Sequence, residues 1–211
     1  MTPDANSRSS ALAVSAWASE GSNATLRAIL LVVVGSALLI ISAKIKVPFY
    51  PVPMTLQTFA VMAIAAAYGS RLAVLTVLVY LAEGLFGMPV FTNTPPAIAG
   101  PAYFLGPTGG FLMGFVAIAL IVGSATDRGW DRSVPKLFGA MVVADVVCFA
   151  LGFSWLAWFA QLSSGATGIG LAAAWKNGVV PFLLADFVKI ALAACLIPAA
   201  WQLIARKPDA I

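Results

Sequence analysis

The run GVVPFLLADFVKIALAACLIPAAWQLIA, residues 178–205, decides the fold. It is long enough to cross a bilayer, which takes about 20 predominantly apolar residues. Its only charged side chains stand together, in Asp186-Phe187-Val188-Lys189. Residues three apart lie on one helix face, so the carboxylate and the ammonium point the same way. A lone charge at the bilayer centre costs about 2.5–3.5 kcal/mol on insertion scales. A chain that keeps two there puts them to use on something that enters the membrane. The competing reading is a mutual ion pair that only fixes helix packing.

The rest of the chain has the same character. Of its 211 residues 61% are hydrophobic and 9% charged, against roughly 25% charged in soluble domains. Residues 28–43, 47–70, 84–126, 146–175 and 190–205 carry no charge at all. This predicts an all-α integral membrane protein with helices over about 26–43, 54–67, 72–85, 108–125, 135–161 and 179–205. Residues 26–205 then form one six-helix membrane domain, with polar tails at 1–25, read as disordered, and 206–211. Pro48, Pro51 and Pro53 remove backbone donors and fix φ, which predicts an extended or kinked loop between the first two helices. The Gly- and Pro-rich stretch 87–107 has no helical period, yet its Phe86, Met88, Val90, Phe91, Tyr103, Phe104 and Leu105 are apolar. Irregular backbone of that kind belongs where it is buried in protein or lines a cavity, so this loop is expected to fold back over a pocket.

Composition excludes several chemistries. The net charge of +4 is spread without a basic run or basic–aromatic interleaving, so nothing points to a nucleic-acid partner. Histidine is absent, and Cys148 and Cys195 lie in separate apolar spans. Histidine-ligated metal, histidine general-base catalysis and Cys-x-x-Cys redox chemistry are therefore out. The carboxylates form no metal-binding cluster, no phosphate-loop motif is present, and no cofactor is called for.

Basic residues set the orientation. With the N-terminus inside, Arg8, Arg27, Arg71, Arg128, Arg132, Lys136, Arg206 and Lys207 fall on the cytoplasmic side and Lys44, Lys46 and Lys176 outside. That asymmetry follows the positive-inside rule and places both termini in the cytoplasm. The proline loop, the 87–107 loop and the 162–178 connection then share the outer face, and a site at Asp186 and Lys189 opens outward.

Four segments coincide with one family. Pro51-Val52-Pro53-Met54-Thr55-Leu56-Gln57-Thr58 resembles its PVPxTLQT signature, and Gly87-Met88-Pro89-Val90-Phe91 its GxPVF. Gly106-Pro107-Thr108-Gly109-Gly110-Phe111 resembles GPTGGY with Phe for Tyr, and Pro181-Phe182 with Asp186 and Lys189 resembles PFxxxDxxK. The order and spacing resemble the BioY family, the biotin-binding S components of energy-coupling-factor (ECF) vitamin transporters. The resemblance implies biotin uptake across a bacterial cytoplasmic membrane by a multi-pass, non-enzymatic subunit embedded in the lipid bilayer. It implies a transmembrane coupling subunit and two ATPase subunits as partners, with a homo-oligomer left open. The long N-terminal tail and Thr92-Asn93-Thr94-Pro95-Pro96 depart from the family pattern.

Carried onto this chain, the family's Asp and Lys are Asp186 and Lys189. Asp186 would accept from the ureido N–H groups of biotin, and Lys189 would donate to the ureido carbonyl or neutralise Asp186. Asn93 offers an amide donor and acceptor, or serves as a turn residue before two prolines. Thr55 and Gln57, at the start of the second helix, bind ligand or cap the helix, and Tyr80 is a candidate for the apolar wall. Trp155, Trp158 and Trp175 read better as an interfacial belt. Ala24 and Ala28 give the first helix a small-residue face for close packing. Glu83 and Asp145 are flanked by apolar residues with no assigned role. Competing functions are an S component for riboflavin or thiamine, an intramembrane enzyme with Asp186 and Lys189 as acid and base, and a structural subunit.

Overall fold

In the computed structural model the described residues are 11–13, 23–97 and 99–205. Of the tail expected as disordered, residues 11–13 and 23–25 are described: Ala11 is buried, Ala13 packs on the core, and Ala24 and Thr25 are already helical, while the rest of both tails lies outside the described residues. The order along the chain is α1 (Ala24–Lys44), β1 (Lys46–Val47), β2 (Met54–Thr55), α2 (Gln57–Leu85), α3 (Pro101–Leu105), α4 (Gly109–Asp127), a 3-10 turn (Trp130–Arg132), α5 (Val134–Trp158), α6 (Leu171–Gly178) and α7 (Leu183–Ala205). Among the described residues five helices, α1, α2, α4, α5 and α7, are long and apolar enough to cross a membrane.

The second of these is folded back on itself. Gly69 leaves the helical region at φ 75°, ψ 174°, a backbone shape that glycine adopts without the Cβ penalty. A straight helix rises about 1.5 Å per residue and would separate Gln57 from Tyr80 by about 35 Å. Instead Gln57 Nε2 donates to the Tyr80 hydroxyl at 2.8 Å. Residues 57–68 and 70–85 are thus an antiparallel helical pair, divided at the glycine where the sequence ends one helix before beginning the next. At the turn, the Asp127 carboxylate accepts from the Ser70 backbone N–H at 3.2 Å.

α4 lies at the centre, packed between α2 and α5, while α1 rests on α2 and α7 closes the bundle against α2 and α5. Tyr80, Leu39, Met62, Ile118, Leu137 and Met141 fill the interior. The outward side of α1 is apolar instead: Leu26, Ile29, Val33, Leu38 and Ile41 are exposed. An apolar surface of this kind suits a bilayer, where helices satisfy their own backbone groups.

The proline segment turns out to be a hairpin. Lys46 pairs with Thr55 and Val47 with Met54, antiparallel, and Val52 at its tip is buried against Leu156, Ala157, Ala160, Ala174 and Phe182. The 162–178 connection contains a short helix, α6, that the sequence reading treated as loop. Trp155 ties the two loop systems together, its indole N–H donating to the Gly106 carbonyl at 2.9 Å. The hairpin, the 87–107 segment, α6 and the first turns of α7 gather at one end of the bundle. Arg71, Arg128, Arg132 and Lys136 occupy the other.

Candidate functional site

A cavity opens at the loop-covered end, lined by the proline hairpin, the 87–107 segment and residues of α2, α4, α5 and α7. Its most polar wall comes from α7. Asp186 lies in that helix's first turn, where the positive end of the helix dipole favours a carboxylate, and Lys189 follows three residues on. Lys189 Nζ meets Asp186 Oδ1 at 2.6 Å, with both side chains largely buried. Thr58, in the first turn of α2, completes a closed set. Its hydroxyl donates to Asp186 Oδ1 at 2.9 Å and accepts from Lys189 Nζ at 3.1 Å. Lys189 also donates to the Thr55 carbonyl at 2.7 Å. All three ammonium protons are therefore engaged, while Asp186 Oδ2 makes no hydrogen bond among the described residues.

The structure brings Asp186, Lys189, Thr55, Gln57 and Tyr80 to this one cavity. Thr55 makes a helix-start contact, its hydroxyl accepting from the Gln57 backbone N–H at 3.3 Å, and its carbonyl holds Lys189. Gln57 serves Tyr80, whose hydroxyl lies 3.4 Å from the Val90 carbonyl. Asn93 is placed elsewhere. It is exposed, stands at φ 62°, and its amide oxygen accepts from Lys46 Nζ rather than lining the cavity. Trp155, Trp158 and Trp175 are likewise absent from the lining, and Trp158 and Trp175 are exposed. Glu83 accepts from the Ser36 hydroxyl of α1 at 2.6 Å.

The remaining walls are aromatic. Phe91 and Tyr103 of the 87–107 segment stack with ring centroids 4.6 Å apart, and Tyr80 meets Phe91 edge-on at 5.5 Å. Phe111, Phe115, Phe149 and Phe182 line the rest. The 87–107 segment thus forms part of the pocket, as its apolar content predicts. Lys44, at the end of α1, holds it there: Nζ donates to the carbonyls of Pro89 and Phe91, each at 2.7 Å, and of Thr94 at 2.5 Å. The Tyr103 hydroxyl donates to the Thr92 carbonyl at 2.8 Å, and burial pushes the pKa of this phenol up, which keeps it a neutral donor.

Among the polar lining residues, Thr58, Thr92, Thr108 and Asp145 have no site role in the sequence analysis. Thr58 appears there only within a motif, since a hydroxyl in a helix start has an ordinary capping explanation. Thr92 and Asp145 reach the wall from the loop and from mid-α5. Among the described residues no group of His, Cys, Asp and Glu is arranged to hold a metal ion. Chemically, the site offers a carboxylate held by a cation and a hydroxyl, facing a compact space walled by aromatic rings. It suits a small ring system with hydrogen-bonding groups on one edge and apolar faces.

Comparison with known proteins gives the family and the fold. A probable biotin transporter of Pyrococcus horikoshii is 35% identical over 160 residues, covering 76% of this chain and 87% of that protein. A biotin transporter of Lactococcus lactis is 29% identical over 170 residues, 81% of this chain and 87% of its own length. One of Thermotoga maritima is 31% identical over 161 residues, 76% and 88% respectively. The fold matches a crystal structure of the S-component for biotin from an ECF-type ABC transporter with a TM-score of 0.69, at 21% identity, covering 87% of this chain and 95% of that one. The BioY family model spans residues 13–206, and the chain belongs to the BioY family.

Proposed function

We propose that this protein is the biotin-binding S component of an ECF-type transporter and serves biotin uptake across the cell membrane. The observation that carries the reading is the hydrogen-bonded Asp186–Lys189–Thr58 set on one wall of an otherwise aromatic cavity. Biotin fits that division. Its ureido ring carries two N–H donors and a carbonyl, and its sulfur ring and tail methylenes are apolar. Asp186 Oδ2 accepts a ureido N–H, Lys189 exchanges the Thr55 carbonyl for the ureido carbonyl, and the phenylalanines enclose the fused rings. The ion pair also limits the cost of burying either charge alone.

The sequence carries no phosphate-loop motif, and transport draws its energy from a separate coupling subunit and ATPase subunits; the structural neighbour is itself an S-component from an ECF-type ABC transporter. Counting residues 57–68 and 70–85 separately, the chain crosses the bilayer six times. The end bearing Arg71, Arg128, Arg132 and Lys136 is cytoplasmic, and the cavity opens outward. Expression in biotin-requiring bacteria that lack their own biotin transporter tests the function: growth at nanomolar biotin supports it, and growth no better than with empty vector overturns it. Reporter fusions test the orientation, with residues 126–135 expected in the cytoplasm.

A further inference from the structure

Two buried side-chain polar atoms, Asp145 Oδ1 and Thr92 Oγ1, have no hydrogen-bond partner among the described residues, and both residues line the same cavity. Asp145 is 8% exposed and sits in the middle of α5, a membrane-crossing helix. Its neighbours one turn away, Met141 and Phe149, are apolar, and Cys148 beside it lines the cavity too. Asp186 and Lys189 of α7 lie within electrostatic reach, but Lys189 commits its three protons to Asp186, Thr58 and Thr55. A bare carboxyl oxygen in such a place is costly. It is worth keeping where a partner arrives from outside the chain.

The chemistry of the ligand says which partner. The two N–H bonds of a cyclic urea diverge, one on either side of the carbonyl, so one acceptor atom cannot take both. Asp186 Oδ1 already accepts from Lys189 at 2.6 Å and from Thr58 at 2.9 Å, leaving Oδ2 for a single ligand N–H. The cavity's other carboxyl is Asp145. We propose that Asp145 is a second recognition carboxyl, whose free Oδ1 accepts the ureido N–H that Asp186 does not. This rests on the biotin reading above and adds a specificity-determining residue to it. A ligand ring with one N–H in place of two leaves one of the carboxyls bare, so the pair of them selects for cyclic ureas.

The test uses the full-length protein, purified in detergent, with labelled biotin and two analogues methylated singly on either ureido nitrogen as competitors. Asp145→Leu is expected to weaken biotin binding about 10- to 100-fold, the scale of one unpaired buried hydrogen-bonding group. Asp145→Asn, which keeps an acceptor oxygen, should lose less. The parent should discriminate against both methylated analogues, and Asp145→Leu should lose its discrimination against one of them, which a merely structural role would leave unchanged. If Asp145→Leu does not fold, Asp145→Asn carries the test, because the amide replaces one of the two carboxyl oxygens by an NH₂ that cannot accept a ureido N–H. Its discrimination against one analogue should then shrink, and unchanged discrimination overturns the proposal. Biotin binding by Asp145→Leu within twofold of the parent overturns it as well. A parent that binds no biotin at all brings down the underlying reading, and this inference with it.

Discussion

Replacing Lys189 by Met removes a cation with little change in length and takes a donor from three acceptors at once. The Thr55 carbonyl loses its 2.7 Å partner, Thr58 loses a donor at 3.1 Å, and Asp186 Oδ1 keeps only the Thr58 hydroxyl. A buried polar group left unpaired costs about 1–3 kcal/mol, more when it is charged. Part of that cost falls on the empty protein, so the unfolding temperature in detergent should drop. The part that concerns the ligand is the loss of the ureido carbonyl's donor, and biotin affinity should fall roughly 10- to 100-fold. Asp186→Asn should act similarly, since it puts an amide NH₂ where the ligand presents N–H and leaves Lys189 without its counter-charge. Because each change already strands the other group, the double variant should lose less than the sum of the two, with a coupling of about 1–3 kcal/mol. Equilibrium titration with labelled biotin on all four proteins supplies the cycle. Two single variants that bind like the parent would refute the reasoning and leave the pair a packing device.

Other consequences follow from the shell around the cavity. Lys44→Met should free the carbonyls of Pro89, Phe91 and Thr94, speed amide exchange across residues 88–94 and shorten the lifetime of bound biotin several-fold, as hydrogen-exchange and dissociation measurements would register. A Cβ on Gly84 would land inside the ring of Phe91. Gly84→Ala should therefore cost about 1–3 kcal/mol of overpacking, lower the unfolding temperature, and weaken biotin binding by moving a wall residue. At the opposite end, Asp131 is buried and accepts from the Trp201 indole N–H at 2.5 Å, and burial raises its pKa. With the folded pKa above the unfolded one, its contribution is full below the ordinary carboxylate range and is lost as pH rises through the raised value. Asp131→Asn should remove that part of the pH dependence of thermal unfolding, and an unchanged pH profile would show that the group contributes none.

Much of this was readable in the chain because a bilayer penalises charge so heavily. Uncharged runs located the spans, and the pair Asp186 and Lys189 stood out as the exception within one. Even the division at Gly69 was legible, since the helices were expected to end and restart around it. What stayed hidden depends on contacts across the chain. Thr58 bonds Asp186 from 128 positions away, and no local pattern announces that. The two-residue strands β1 and β2 are too short to show an alternating pattern, and α6 is masked by the glycines before it. Asn93 carries suitable ligand chemistry, but its left-handed backbone and its bond to Lys46 turn it from the cavity. Asp145 could be noticed in the sequence, yet what sets it apart is a buried, unpaired oxygen on a residue of the cavity lining.

The most direct test of the central claim is equilibrium binding of radiolabelled biotin to the purified protein, with dethiobiotin, riboflavin and thiamine as competitors. The structure predicts saturable binding at one site per chain. Dethiobiotin, which keeps the cyclic urea but lacks the sulfur, should compete measurably, and riboflavin and thiamine should not. Absence of saturable biotin binding, or displacement of biotin by either of the other two vitamins at comparable concentration, would contradict the account.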